Sequence, residues 1–198
     1  MTTNNPKLSL FSDLVSVPAA ELVEPAPDGA QLQSILQAAM SAPDHGSLRP
    51  YRFIVIRGDA RGRLSEVFAD AATQRGLDQA GIDKQRAKPL RSPLIVSVVA
   101  RIEHRPKIPE IEQLLSAGCA AQHIQLACRL LGFGSIWLTG DNCYDQTVYR
   151  ALGLDLDERL VGFLYIGTPA QPPAKKIRPP ASDRTEIWVE PQVTDYAI

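Results

Sequence analysis

The chain has 198 residues, the length of a single domain, and its 44% hydrophobic and 22% charged residues exclude wholesale disorder. Its formal net charge of -1, spread without long single-sign blocks, offers no basic field for nucleic acid or an anionic membrane surface. No apolar run approaches the roughly 20 residues needed to span a bilayer, and Met1 to Phe11 lacks the basic-then-apolar pattern of a signal peptide.

Residues 1–7 read as a loose start, followed by a short helix or arm from Leu8 to Leu14. Asp28 then precedes Leu32, Ile35, Leu36, Ala39 and Met40, an apolar stripe at helical spacing with an N-cap. Ala42-Pro43-Asp44-His45-Gly46 stops that helix, because proline restricts the residue before it and glycine frees a turn. Tyr51 to Arg57 is a predicted strand, apolar along nearly its whole length and so expected to be buried on both faces. Asp59 is expected to cap a helix carrying Leu64, Val67, Phe68 and Ala71 on one face, and a more polar helix runs from Gln79 to Ala87. The β-branched run Leu94 to Ile102, bounded by Pro93, predicts a central strand.

Residues 110–131 form the longest helical pattern, in which Ser116, Ala117, Gly118, Cys119, Ala120 and Ala121 permit close backbone approach. Gly132 ends that helix. A strand from Ser135 to Leu138, a helix from Asp145 to Leu152 and a strand from Leu160 to Gly167 complete the regular elements. From Thr168 onward Pro169, Pro172, Pro173, Pro179 and Pro180 favour an extended tail, although Ile187, Trp188 and Val189 are too apolar for a free linker. Cys119, Cys128 and Cys143 form an odd set without metal-ligand spacing, so no metal site is expected and a reducing cytoplasm is the natural location. Gly132-Phe-Gly134 follows a helix rather than a strand, so it is no dinucleotide fingerprint.

Five segments in register resemble the nitroreductase family, in particular its short bacterial NAD(P)H nitroreductase branch. They are Leu22-Val-Glu-Pro-Ala-Pro27, Ala42-Pro-Asp-His-Gly-Ser-Leu-Arg-Pro50, Glu112-Gln113 with Ser116-Ala-Gly-Cys-Ala120, Gly132-Phe-Gly-Ser-Ile-Trp137, and Gly162-Phe-Leu-Tyr-Ile-Gly-Thr-Pro169. The resemblance implies an α+β fold with a mostly antiparallel sheet flanked by helices, assembled as an interlocked homodimer with two flavin sites at the subunit interface. It also implies the organisation: an N-terminal arm over residues 1–11, a nitroreductase-like domain over 12–170, and a Pro-rich tail over 171–198 packed on the partner subunit. The implied activity is FMN-dependent oxidation of NADH or NADPH, with hydride passed through flavin N5 to a nitroaromatic, quinone or similar small acceptor. Such a site needs no catalytic side chain, since the protein orients and tunes the flavin.

Carried over residue by residue, the family's flavin contacts fall on Leu14-Val15-Ser16 (or Ser16-Val17-Pro18 without a gap), Ser41, His45, and Trp137-Leu138-Thr139. The nicotinamide-side stretch falls on Ala127, Cys128, Arg129, Leu130, Leu131 and Gly132. The three arginines expected in the flavin set are absent: Leu14 or Ser16, Ser41 and Leu138 stand in their places. Glu110 and Ile111 likewise replace the basic residue and tryptophan of the family's Pro-Arg-Trp-Glu-Gln pattern. Hydrogen bonds to a charged group contribute about 1.5–3 kcal/mol each, so FMN is expected to bind weakly unless other donors substitute. Lys175, Lys176 and Arg178, or Arg49 and Arg52, are the candidate replacements, as are backbone N–H groups at a helix N-terminus. The alternative reading is a flavin-poor homologue that binds a different small ligand or acts as a non-catalytic dimer. His45 reads as a flavin contact or a solvated turn residue, and Trp137 as a pocket wall or a core aromatic.

Overall fold

The computed structural model describes residues 8–189. In chain order the elements are α1 (Ser9–Ser12), β1 (Leu22–Val23), α2 (Gly29–Ala39), β2 (Tyr51–Arg57), α3 (Asp59–Gln74) and α4 (Gln79–Arg86). There follow β3 (Leu94–Arg101), α5 (Glu110–Leu130), β4 (Gly134–Leu138), α6 (Gln146–Leu152) and β5 (Glu158–Pro169). The fold is α+β, as expected: a five-stranded antiparallel sheet in the order β1-β5-β3-β2, with β4 pairing to β5 alone.

Period-two alternation in the sheet divides the core. From β3 and β5, Val96, Val98, Leu164 and Ile166 face one cluster with Ile35 of α2 and Ala117, Ala120, Ala121 and Ile124 of α5. Ile95, Val99, Phe163 and Tyr165 face the other, with Phe68 and Ala71 of α3 and Val148 of α6. Strand β3 is buried along Leu94 to Ala100 because both of its faces are covered, which is the central position its sequence predicts. The small residues of α5 are a packing device, allowing a 21-residue helix to lie against the sheet. Its end is turned by Gly132, whose φ of +84° suits a residue without a Cβ.

Strand β2 departs from expectation. It pairs with β3 only and lies at the sheet edge, and of its seven residues only Tyr51 and Ile56 are buried, with Val55 exposed. A continuous apolar run cannot distinguish a central strand from an edge strand whose outer side faces something other than its own chain. The cap of α3 also differs: Gly58, at φ +55°, is the N-cap, and Asp59 sits in the first turn without making a side-chain cap. The cap at Asp28 does form, in a reciprocal capping box with Gln31, and Asp145, expected as the first residue of its helix, caps it through the Thr147 N–H at 2.8 Å. Strand β5 extends two residues beyond the predicted Leu160–Gly167 at each end, and the short β1 on its C-terminal end has no counterpart in the sequence reading.

Buried Glu158 anchors the start of β5. It accepts from Arg52 Nε at 2.7 Å and Arg52 Nη2 at 2.6 Å, and its hydrogen bond with Arg52 holds its carboxyl below the usual glutamate range. Arg52 also donates to the Gly153 carbonyl at 3.0 Å. Cys128 and Cys143 are buried, with thiols pushed up to about 12 by burial, so both act as small hydrophobes. Residues 190–198 of the tail and 1–7 of the arm lie outside the described residues.

Candidate functional site

Two clefts open along β4, which pairs with β5 alone among the described residues. The segment after α1 runs beside that edge, tied to it by the Val17 N–H on the Ser135 carbonyl at 3.0 Å. Gly134 leaves room for this approach: a Cβ there would stand 2.8 Å from Leu22 Cδ2 and 3.0 Å from Val17 Cγ2.

The first cleft, about 360 Å³, is walled by Leu14 and Val15, by Arg129 and Gly132 from the end of α5, by Gly134 and Ser135, and by tail residues Lys175, Lys176 and Arg178. Arg178 Nη2 donates to the Leu14 carbonyl at 2.8 Å, fastening the tail over the N-terminal segment. Asp13 is its only carboxylate against four cations, so the cleft is strongly positive on a chain whose net charge is -1. Lys175, Lys176 and Arg178, the expected charge replacements, thus line one cleft with Leu14 and Val15. Arg52 is not among them, its guanidinium being committed to Glu158 and Gly153.

The second cleft, also about 360 Å³, holds Leu138 and Thr139 with Ala19, Gly140, Asn142, Lys88 and Arg91, against Phe68, Phe163 and Tyr165. Burial lowers the Lys88 ammonium pKa, with the nearby Asp141 carboxylate opposing that shift. Asn142 is buried and held at both ends of its amide: Oδ1 accepts from Arg75 Nη2 at 3.0 Å and Nδ2 donates to Gln85 Oε1 at 3.1 Å. Arg75 also pairs with Asp145, the cap of α6, so one guanidinium ties α3 and α6 to this wall. The sequence reading missed Lys88, Arg91 and Asn142. The available signal was two cations three residues apart immediately before the central strand.

The remaining predicted residues do not converge in one chain. Ser41 is exposed after α2, its hydroxyl donating to the Ala38 carbonyl at 2.7 Å and standing 3.4 Å from His123 Nδ1. His45 is exposed, with Nδ1 2.8 Å from Glu112 Oε2 on the first turn of α5. Trp137 packs on the core beside Gly118 and Gly162, its Nε1 donating to the Val161 carbonyl at 3.2 Å, and it lines neither cleft. Ser16 is exposed and also outside both clefts. Of the nicotinamide-side stretch, Arg129 and Gly132 line the first cleft, Ala127 and Cys128 are buried in the core, and Leu130 and Leu131 are exposed. Among the described residues no group of three or more His, Cys, Asp or Glu side chains could hold a metal ion.

The model of the Nitroreductase family matches residues 23–168, well over half of the chain. The chain belongs to the nitroreductase family. It is 48% identical over 151 residues to "Putative NAD(P)H nitroreductase YdjA" of Escherichia coli (strain K12), covering 76% of this chain and 82% of that protein. It is 36% identical over 149 residues to "Putative NAD(P)H nitroreductase" of Haemophilus influenzae, covering 75% and 81%. Among solved structures, the nitroreductase-like family protein of Bacillus cereus superposes with a TM-score of 0.81 at 25% identity, over 95% of this chain and 98% of that one. A Desulfovibrio desulfuricans protein, solved as a putative nitroreductase in complex with FMN, superposes with a TM-score of 0.73 at 25% identity, over 96% and 100%. For this nitroreductase-family chain, the α+β architecture read from five short motifs is therefore the observed one. Among the described residues, no helix is long and apolar enough to cross a membrane.

Proposed function

We propose that this protein is an FMN-dependent NAD(P)H oxidoreductase of nitroreductase type whose flavin phosphate is held by tail cations in place of the family arginines. The observation that carries the reading is the first cleft, where Leu14 and Val15 of the family's cofactor segment meet Lys175, Lys176 and Arg178. An FMN phosphate has close to two negative charges at neutral pH and exchanges its hydration for donors, which three cations beside a left-handed glycine turn supply. The residues therefore fit the group, and the cleft lies in the range of about 300–1,000 Å³ usual for small-molecule sites.

The flavin ring is assigned to the second cleft. FMN supplies reversible hydride acceptance at N5, from NADH or NADPH and onward to a nitroaromatic, quinone or similar acceptor. The chain's own residues bind and orient. If the ring lies in this cleft, Lys88 and Arg91 would supply positive charge, Thr139 a hydroxyl, and Phe163 and Tyr165 an apolar wall. Ser41 and His45 join the site from a second copy, which accounts for their separation from both clefts within one chain. The arm, domain and tail keep the boundaries 1–11, 12–170 and 171–198, with the tail packed on the partner in a cytoplasmic homodimer.

Titration of apoprotein with FMN and riboflavin tests this reading. FMN should bind at least about tenfold more tightly than riboflavin, and Lys175→Ala with Lys176→Ala should remove most of that difference, since about 1.4 kcal/mol of charged contact is tenfold in affinity. Riboflavin affinity should hardly move. Loss of the three family arginines at Leu14 or Ser16, Ser41 and Leu138 favours the second reading, a flavin-poor homologue. Failure of both flavins to bind would establish it.

A further inference from the structure

We propose that Arg129 makes this protein selective for NADPH over NADH by reading the 2′-phosphate of the adenosine ribose. The inference rests on the nicotinamide-dependent activity proposed above. Arg129 stands in the last turn of α5, exposed, and lines the first cleft together with the tail cations. Among the described residues its guanidinium makes no hydrogen bond or ion pair, unlike Arg178, which is fastened to the Leu14 carbonyl. A cation at the carbonyl end of a helix is favourably placed by the helix dipole.

The charge of the cleft exceeds what one phosphate monoester requires. Three tail cations already match the FMN phosphate, and the only carboxylate is Asp13. Arg129 adds a further planar fork of donors, the geometry that grips a phosphate bidentately. Sites that favour NADH commonly set a carboxylate on the ribose 2′-hydroxyl, whereas an arginine accommodates the 2′-phosphate of NADPH. Arg129 also belongs to the stretch Ala127–Gly132, of which only it and Gly132 face the cleft, so it is the one charged group that the stretch contributes there.

Calorimetric titration of the FMN-loaded protein with the oxidised forms NADP+ and NAD+ measures selectivity without turnover. NADP+ should bind about tenfold more tightly, the value of one charge-assisted contact at a partly exposed site. Arg129→Gln should bring the two dinucleotides to within about twofold by weakening NADP+ alone, and Arg129→Lys should keep part of the difference as a point charge without the fork. Because Arg129 is exposed and outside the core, thermal unfolding of both variants should match the parent, separating a binding effect from a folding one. Equal binding of the two dinucleotides by the parent overturns the proposal, and so does full selectivity in Arg129→Gln. A loss of FMN affinity in Arg129→Gln as large as its loss of NADP+ affinity also overturns it, assigning Arg129 to the flavin phosphate. Protein that takes up no FMN yet prefers NADP+ supports this inference while removing the flavin assignment.

Discussion

At the scale of residues, charge placement decides which groups are available for chemistry. Arg52 and the tail cations look equivalent in the sequence, but only Arg52 has a buried carboxylate to answer it. Glu158→Gln should cost about 2 kcal/mol of stability, below the 3–5 kcal/mol of a fully buried pair because Arg52 retains 33% side-chain exposure. The sign with pH follows from the depressed carboxyl. Its stabilising contribution is complete above the ordinary glutamate range and is lost as pH falls through the lower folded-state value. Denaturant unfolding from pH 7 downward should therefore show the parent losing its advantage over Glu158→Gln in acid. A constant gap down to strongly acidic pH contradicts the assignment.

At the scale of elements, the pairing of β4 with β5 depends on a glycine. A Cβ at Gly162 would stand 2.1 Å from Trp137 Nε1 and 3.0 Å from the Leu138 carbonyl oxygen, so the indole must move and the strand backbone must give. Gly162→Ala should destabilise by about 1–3 kcal/mol through overpacking, and should displace Trp137 from its bond to the Val161 carbonyl. Chemical denaturation and the near-ultraviolet spectrum report the two effects; unchanged stability and an unchanged indole signal would refute the steric argument. Much of this layer was legible in the sequence. The stripe after Asp28, the β-branched run of β3 and the glycine after α5 are local signals, and each element formed where its own residues specified. The cap of α3 was misplaced because Asp59 and Gly58 are adjacent, and only the backbone turn at φ +55° distinguishes them.

At the scale of the whole molecule, α5 and the tail expose large apolar side chains. Ile111 and Leu115 on α5, Leu130 and Leu131 at its end, and Ile187, Trp188 and Val189 in the tail all face outward. Exposed apolar surface of this kind marks a contact with another chain, in agreement with the proposed homodimer. Sedimentation at micromolar concentration should give twice the 21.6 kDa chain mass, and Leu115→Glu should shift that population toward monomer and weaken FMN binding together. A stable monomer that still binds FMN tightly contradicts both the assembly and the origin of His45.

The sequence by itself determined the α+β class, the run of helices and strands, and the family, because caps, periodicity and short motifs are properties of neighbouring residues. Only the tertiary structure decided that β2 is an edge strand, that Arg52 is neutralised from 106 positions away, and that Arg178 closes on Leu14 across 164. It alone brought Lys88 and Arg91 to the cleft beside Leu138 and Thr139, and set Trp137 into the core instead of either cleft wall. The physical reason is that charge compensation and sheet order are relations between distant segments, settled by which surfaces meet when the layers pack rather than by the spacing within any one of them.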